Sequence, residues 1–175
     1  MEFTKLVSSR RSVRKYAQAQ VRKEDIEEII RCAQMAPSWK NSQTGRYYVA
    51  LSKEAIRAVY EALPDFNRNS TVNAAFIIAT FKAKISGGIR DGLMSEEGDL
   101  WGSYDLGLQN AYLLLKASEL GYDTLIMGLR DTKALRDYFE IPDDEILMPV
   151  IAIGKRDGEA GLRPRKDIGE ILKIR

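Results

Sequence analysis

Three guanidiniums and a hydroxyl fall within five residues at Arg10-Arg11-Ser12-Val13-Arg14. Arginine presents a fixed fork of donors that matches phosphate oxygens two at a time, and serine adds a short donor of its own. The chemistry this predicts is capture of a phosphate. A solvated basic patch or a nucleic-acid contact accounts for the run alone as well, because short basic runs are weak motifs. Histidine is absent and Cys32 is the single cysteine. This excludes Ser-His-Asp and Cys-His nucleophile systems and removes the usual nitrogen ligands of zinc. Cys32 falls within a helical pattern and reads as a small packed side chain rather than a nucleophile. If the chain is an enzyme, a cofactor carries the chemistry.

Charge is distributed unevenly. The net value is +2, but residues 1–23 hold +6 and residues 155–175 hold +3, which leaves −7 between them. A nucleic-acid protein spreads positive charge over a face and has a higher pI. Two basic ends around an acidic middle predict instead that the ends converge on one compact anion. The length of 175 residues suits one domain, and 45% hydrophobic with 30% charged residues is ordinary globular composition. No stretch resembles a signal peptide and no apolar run is long enough for a membrane span. With one cysteine that cannot form an internal disulfide, the expected location is a reducing one, the cytoplasm.

The elements that must position the run follow from periodicity. Phe3, Leu6 and Val7 form a short helical stripe before it. Ile26, Ile29, Ile30 and Ala33 fall at i, i+3, i+4, i+7 and predict a helix over 23–36, closed by Pro37. A polar loop follows over 37–43. Residues 46–51 alternate as a strand with Tyr47, Val49 and Leu51 on one face, and 53–63 return as a helix. Residues 66–70 read as a polar turn, and 74–81 as a strand buried on both faces. The glycine-rich stretch 84–102 predicts a long loop, with a lid as the obvious use. Residues 103–120 form a helix apolar nearly all round, which must be buried against its own domain or a second subunit. Gly121 caps it. A strand over 122–127, a helix over 132–139 and a strand over 147–153 complete the core. Pro149 places that last strand toward an edge or a bulge.

In this order the segments resemble the FMN-dependent nitroreductase family along essentially the whole chain. Arg10, Arg11, Ser12 and Arg14 match its opening flavin-binding motif. Pro37 and Ser38 through Asn41 and Gln43 are similar to the loop that reaches the flavin of the other subunit. Asn67 stands where the family places an Asn against the pyrimidine edge. Leu125-Ile126-Met127-Gly128 resembles the turn beneath the isoalloxazine, and Arg163 and Arg165 its closing basic pair. Three positions depart: Ser70 where a Lys is common, Trp39 in place of a small residue, and Leu125 where some members carry proline.

The resemblance implies an α+β fold, a mixed, largely antiparallel sheet surrounded by helices, in an intertwined homodimer. It implies FMN as cofactor, NADH or NADPH as electron donor, and a nitroaromatic, quinone or similar small molecule as acceptor. FMN rather than FAD fits the chain, which lacks a Gly-x-Gly-x-x-Gly turn for a pyrophosphate. Flavin N5 would carry the hydride, with no catalytic side chain. Arg14 would be the cation near N1, Met127 and Gly128 would donate amides toward N5 and O4, and kinetics would be ping-pong. A non-catalytic flavin-binding or sensing module with the same fold is the alternative. Neither nucleic acid nor membrane is an expected partner.

Overall fold

A computed structural model describes residues 2–85 and 98–175. The strands are β1 (Gly45–Ala50), β2 (Ala75–Lys82), β3 (Asp123–Met127) and β4 (Glu145–Gly154). The helices are α1 (Phe3–Ser9), α2 (Lys23–Gln34), α3 (Lys53–Glu61), α4 (Asp65–Ser70), α5 (Leu100–Glu119), α6 (Thr132–Phe139) and α7 (Ile168–Ile171). The sheet runs β1-β2-β4-β3, with every named pair antiparallel. One parallel bridge, Ser12 to Thr124, lays the basic run beside β3 and makes the arrangement mixed.

Burial explains the order. β2 has no polar face, so it takes an interior place, and Phe76, Ile77, Ile78 and Ala79 are fully buried. Large side chains of this kind each contribute about 1.5–3 kcal/mol when removed from water. On one face of the sheet, Phe76, Ile78, Val150 and Leu125 pack with Val59 and Leu63 from the α3 segment and Leu135 of α6. On the other, Ile77, Ile151 and Ile153 pack with Ile26, Ile29 and Ala33 of α2 and Leu113 and Ala117 of α5. Tyr47, Val49 and Leu51 lie on this second side, as their alternation predicts.

Several expectations are adjusted. Residues 65–70 form a helix rather than a turn, since Pro64 pre-sets its entry and Asp65 lies at its positive end. Helix α5 begins at Leu100, three residues before the predicted start. Gly102 lies in that extra turn, where a Cβ would come within 2.3 Å of the Phe81 ring, so glycine permits the close approach. Gly121, at φ 74°, provides the predicted left-handed exit. Strand β4 is interior, so of the two places predicted for Pro149, an edge or a bulge, the second is the one it takes. Pro149 is tolerated because the register with β2 shifts between Ile78–Val150 and Thr80–Leu147, and because β3 pairs no further than Val150. The lid predicted for 84–102 falls mainly on residues 86–97, outside the described residues.

Candidate flavin-binding site

The phosphate trap is built where α1 stops. The chain turns to extended backbone at Arg10, and the Val13 amide then donates to the Thr124 carbonyl at 3.0 Å. Arg10 and Ser12 come to line an apolar groove with Ala111, Leu114, Leu115, Thr124 and Ile126. Arg165 returns from the far end of the chain close enough for its charge to act on Arg10. Burial, then repulsion from Arg165 and Arg11, lowers the Arg10 pKa. Ser12 also lines a second, neighbouring groove with Arg14 and Arg163. Arg11 is engaged differently: its guanidinium donates back to the carbonyls of Ser8 at 2.5 Å and Arg10 at 2.9 Å, closing the end of α1.

Asn67 is placed by α4 with 8% of its surface exposed. Its backbone is committed, the amide to Pro64 and the carbonyl to the Thr71 hydroxyl. Its carboxamide has no hydrogen-bond partner among the described residues. Ser70, in the place of a common lysine, donates its hydroxyl to the Phe66 carbonyl at 2.8 Å.

The loop at 37–43 contains one turn of 3-10 helix, Trp39–Asn41, and three residues at positive φ: Lys40, Asn41 and Gln43. Left-handed backbone costs about 1–2 kcal/mol per non-glycine residue, so something must hold it. Asp105 of α5 does: both carboxylate oxygens accept from the Trp39 amide at 3.0 Å, and one accepts from the Ser42 hydroxyl at 3.4 Å. Ser38 accepts from the Gln43 amide at 3.1 Å, and Lys40 sits 4.2 Å over the Trp39 ring. Gln43 and Ser42 edge a groove shared with Gln109 and Arg46, while Pro37 and Asn41 are exposed. Asp105 and Gln109 are one turn apart on α5. Ala111 and Leu114, which line the basic groove, lie about 140–200° around the helix from Gln109. One chain therefore presents the loop and the basic cluster on opposite sides of α5 and does not bring them together.

Met127 and Gly128 end β3. Met127 is buried and paired with Val150, whereas Gly128 opens onto an apolar groove with Ser103, Gly107, Asn110 and Met148. Leu125 is buried in the core. Two residues of this region, Asp105 and Arg130, were not singled out from the sequence. The signal for Asp105 was present: Asp105 and Gln109 are polar residues at i, i+4 that interrupt the mainly apolar pattern of this helix.

Comparison with known proteins identifies the fold and the family. A candidate NADH dehydrogenase/NAD(P)H nitroreductase of Archaeoglobus fulgidus is 28% identical over 157 residues, covering 87% of this chain and 84% of the relative. A nitroreductase family protein of Streptococcus pneumoniae TIGR4 superposes with a TM-score of 0.87 at 18% identity, over 99% of this chain and all of that one. A candidate nitroreductase of Exiguobacterium sibiricum 255-15, solved in complex with FMN, gives 0.81 at 23% identity, over 100% and 98% of the two chains. The Nitroreductase family model matches residues 7–155, and the chain belongs to that family.

Proposed function

We propose that residues 1–175 form one FMN-binding domain that works as a homodimer and oxidises NADH or NADPH at the expense of a nitroaromatic, quinone or related acceptor. The observation that carries this reading is that Ser12 stands between two basic grooves, one lined by Arg10 and the other by Arg14 and Arg163 from the far end of the chain, with Arg165 near enough for its charge to act on Arg10. Like charges repel, and burial raises the cost of holding them together. A dianionic phosphate relieves both, and the set leaves no counterpart for a second phosphate. The donor chemistry therefore fits FMN, and the unpaired carboxamide of Asn67 fits the polar edge of its ring. The FMN complex of the Exiguobacterium protein and the NAD(P)H in the name of the Archaeoglobus relative support the same reading.

Bound FMN would supply the hydride-accepting and hydride-donating chemistry. The chain's own residues bind and orient. Arg10, Ser12 and Arg165 hold the phosphate, with Arg163 beside them. Arg14, exposed in the neighbouring groove, is the cation for the N1 edge, and the amides of Met127 and Gly128 serve the opposite one. The loop carrying Pro37, Ser38, Asn41 and Gln43 serves the partner subunit's site, because its own basic cluster lies across α5. Donor and acceptor take turns in one groove, so parallel double-reciprocal plots are expected.

The test is direct. Purified protein should be yellow and release FMN on denaturation, and should oxidise NADH or NADPH only with an acceptor present. Colourless protein that takes up no added FMN overturns the reading. Bound FMN without turnover leaves a flavin-binding module in its place.

A further inference from the structure

Arg130 lies two residues beyond the Gly128 turn and crosses to the neighbouring strand. Its guanidinium donates to the Gly128 carbonyl and, at 2.5 Å, to the Leu147 carbonyl. It thus ties the end of β3 to β4 at the register shift next to Pro149. A further donor, Nε, is buried and has no hydrogen-bond partner among the described residues. No carboxylate pairs with this cation among the described residues. The adjacent Asp131 is committed to capping α6, accepting from the Ala134 amide at 3.0 Å. Burial lowers the Arg130 pKa, the expected sign for a charge held away from water.

A tie between two carbonyls does not require a full charge. A neutral donor makes the same bonds without the desolvation cost of a part-buried guanidinium. What the charge adds is a positive potential behind a turn whose front is open: a Cβ built on Gly128 meets no atom within 4 Å. The groove beyond it is lined by Ser103, Gly107, Asn110 and Ile126, with Arg130 at its edge. The guanidinium is part-buried behind this groove, and a charge partly shielded from water acts more strongly than one fully at the surface.

We propose that Arg130 is a positioning residue for the bound flavin: it fixes the Gly128 peptide against which the ring rests, and its charge, which no carboxylate pairs among the described residues, raises the reduction potential at that edge. The inference rests on the flavin reading above, which supplies the ring beside Gly128. Two-electron reduction adds negative charge to the ring, so a nearby cation favours the reduced state.

Holoprotein with Arg130→Gln and Arg130→Lys separates charge from tie. Gln keeps a neutral donor, while Lys keeps the charge and loses the fork. FMN affinity by fluorescence and midpoint potential by dye equilibration are the readouts. Arg130→Gln should lower the potential, and Arg130→Lys should hold it near the parent's. Both should bind FMN more weakly, by about tenfold or less, which corresponds to about 1.4 kcal/mol. A Gln variant with the parent's potential, or a Lys variant with a clearly lowered one, overturns the proposal. If the Gln variant does not fold, the Lys variant decides alone on the same criterion. A parent that binds no FMN would instead sink the flavin reading, and this inference with it.

Discussion

Asp105 accepts the Trp39 amide through both carboxylate oxygens, each at 3.0 Å, and so fastens the loop at 37–43 to the first half of α5. Asp105 is 2% exposed, and the loop contains three residues in left-handed backbone, so the carboxylate holds a conformation that local preferences oppose. A hydrogen bond to a charged group contributes about 1.5–3 kcal/mol, and an orphaned buried amide costs more still. Asp105→Ala should lower stability by at least about 2 kcal/mol, read by urea unfolding without cofactor. It should also make the loop cleavable by protease. An unchanged midpoint and unchanged cleavage would show that the loop holds itself.

Arg10→Ala should act in opposite directions on binding and on the empty protein. Losing one charge-assisted contact to phosphate should weaken FMN by roughly ten- to a hundredfold. Without ligand, Arg10 is repelled by Arg165 and Arg11 and is partly desolvated, so its removal should leave stability unchanged or raised. Calorimetric titration with FMN and thermal melting of the apo form check the two halves. Parent-like FMN affinity in the variant would remove Arg10 from the phosphate site.

The exposed side of α5 offers a test of assembly. Ala111 is exposed between the half-buried Leu114 and Leu115, beside the groove that also holds Arg10. Glutamate is a good helix former, so Ala111→Glu should leave the fold intact while placing a charge on this exposed apolar face, which we propose as a contact with the second subunit. The expected outcome is a folded monomer by ultracentrifugation and circular dichroism, with FMN lost. A flavin-loaded dimer would move the interface elsewhere.

Acid sensitivity should trace to Asp25. Its carboxylate accepts from Arg22 at 2.5 and 2.9 Å and from the Tyr122 hydroxyl at 2.6 Å, and these bonds hold its pKa down to about 2, from 3.8. The folded state therefore binds fewer protons than the unfolded one as pH falls through this range. The stabilisation is complete above the unfolded pKa and is lost as pH falls toward about 2. Asp25→Asn should lose stability at neutral pH and show a flatter acid limb between about pH 4 and 2 in unfolding titrations. A parallel acid limb would assign the sensitivity to other carboxylates.

What the sequence determined by itself was local. The period of Ile26, Ile29 and Ala33 required a helix, the two-sided apolar run at 74–81 required a covered strand, and Gly121 required a left-handed exit. Those signals act over a few residues and need no partner. The donor chemistry of Arg10, Ser12 and Arg14 was legible for the same reason. Where a charged residue interrupts the apolar pattern, local reading stopped short. Glu145 is 3% exposed and opens β4, because its carboxylate accepts from the hydroxyls of Tyr48 at 2.9 Å and Thr80 at 2.5 Å. Those partners lie far away in sequence, so no window around Glu145 contains the reason for its burial. The same holds for the site. Only the tertiary structure sets Arg165 against Arg10, Asp105 beneath Trp39, and Arg130 between Gly128 and Leu147. Pattern reports which residues seek burial or charge; the strand order β1-β2-β4-β3 and the path of α5 across the sheet decide which of them meet.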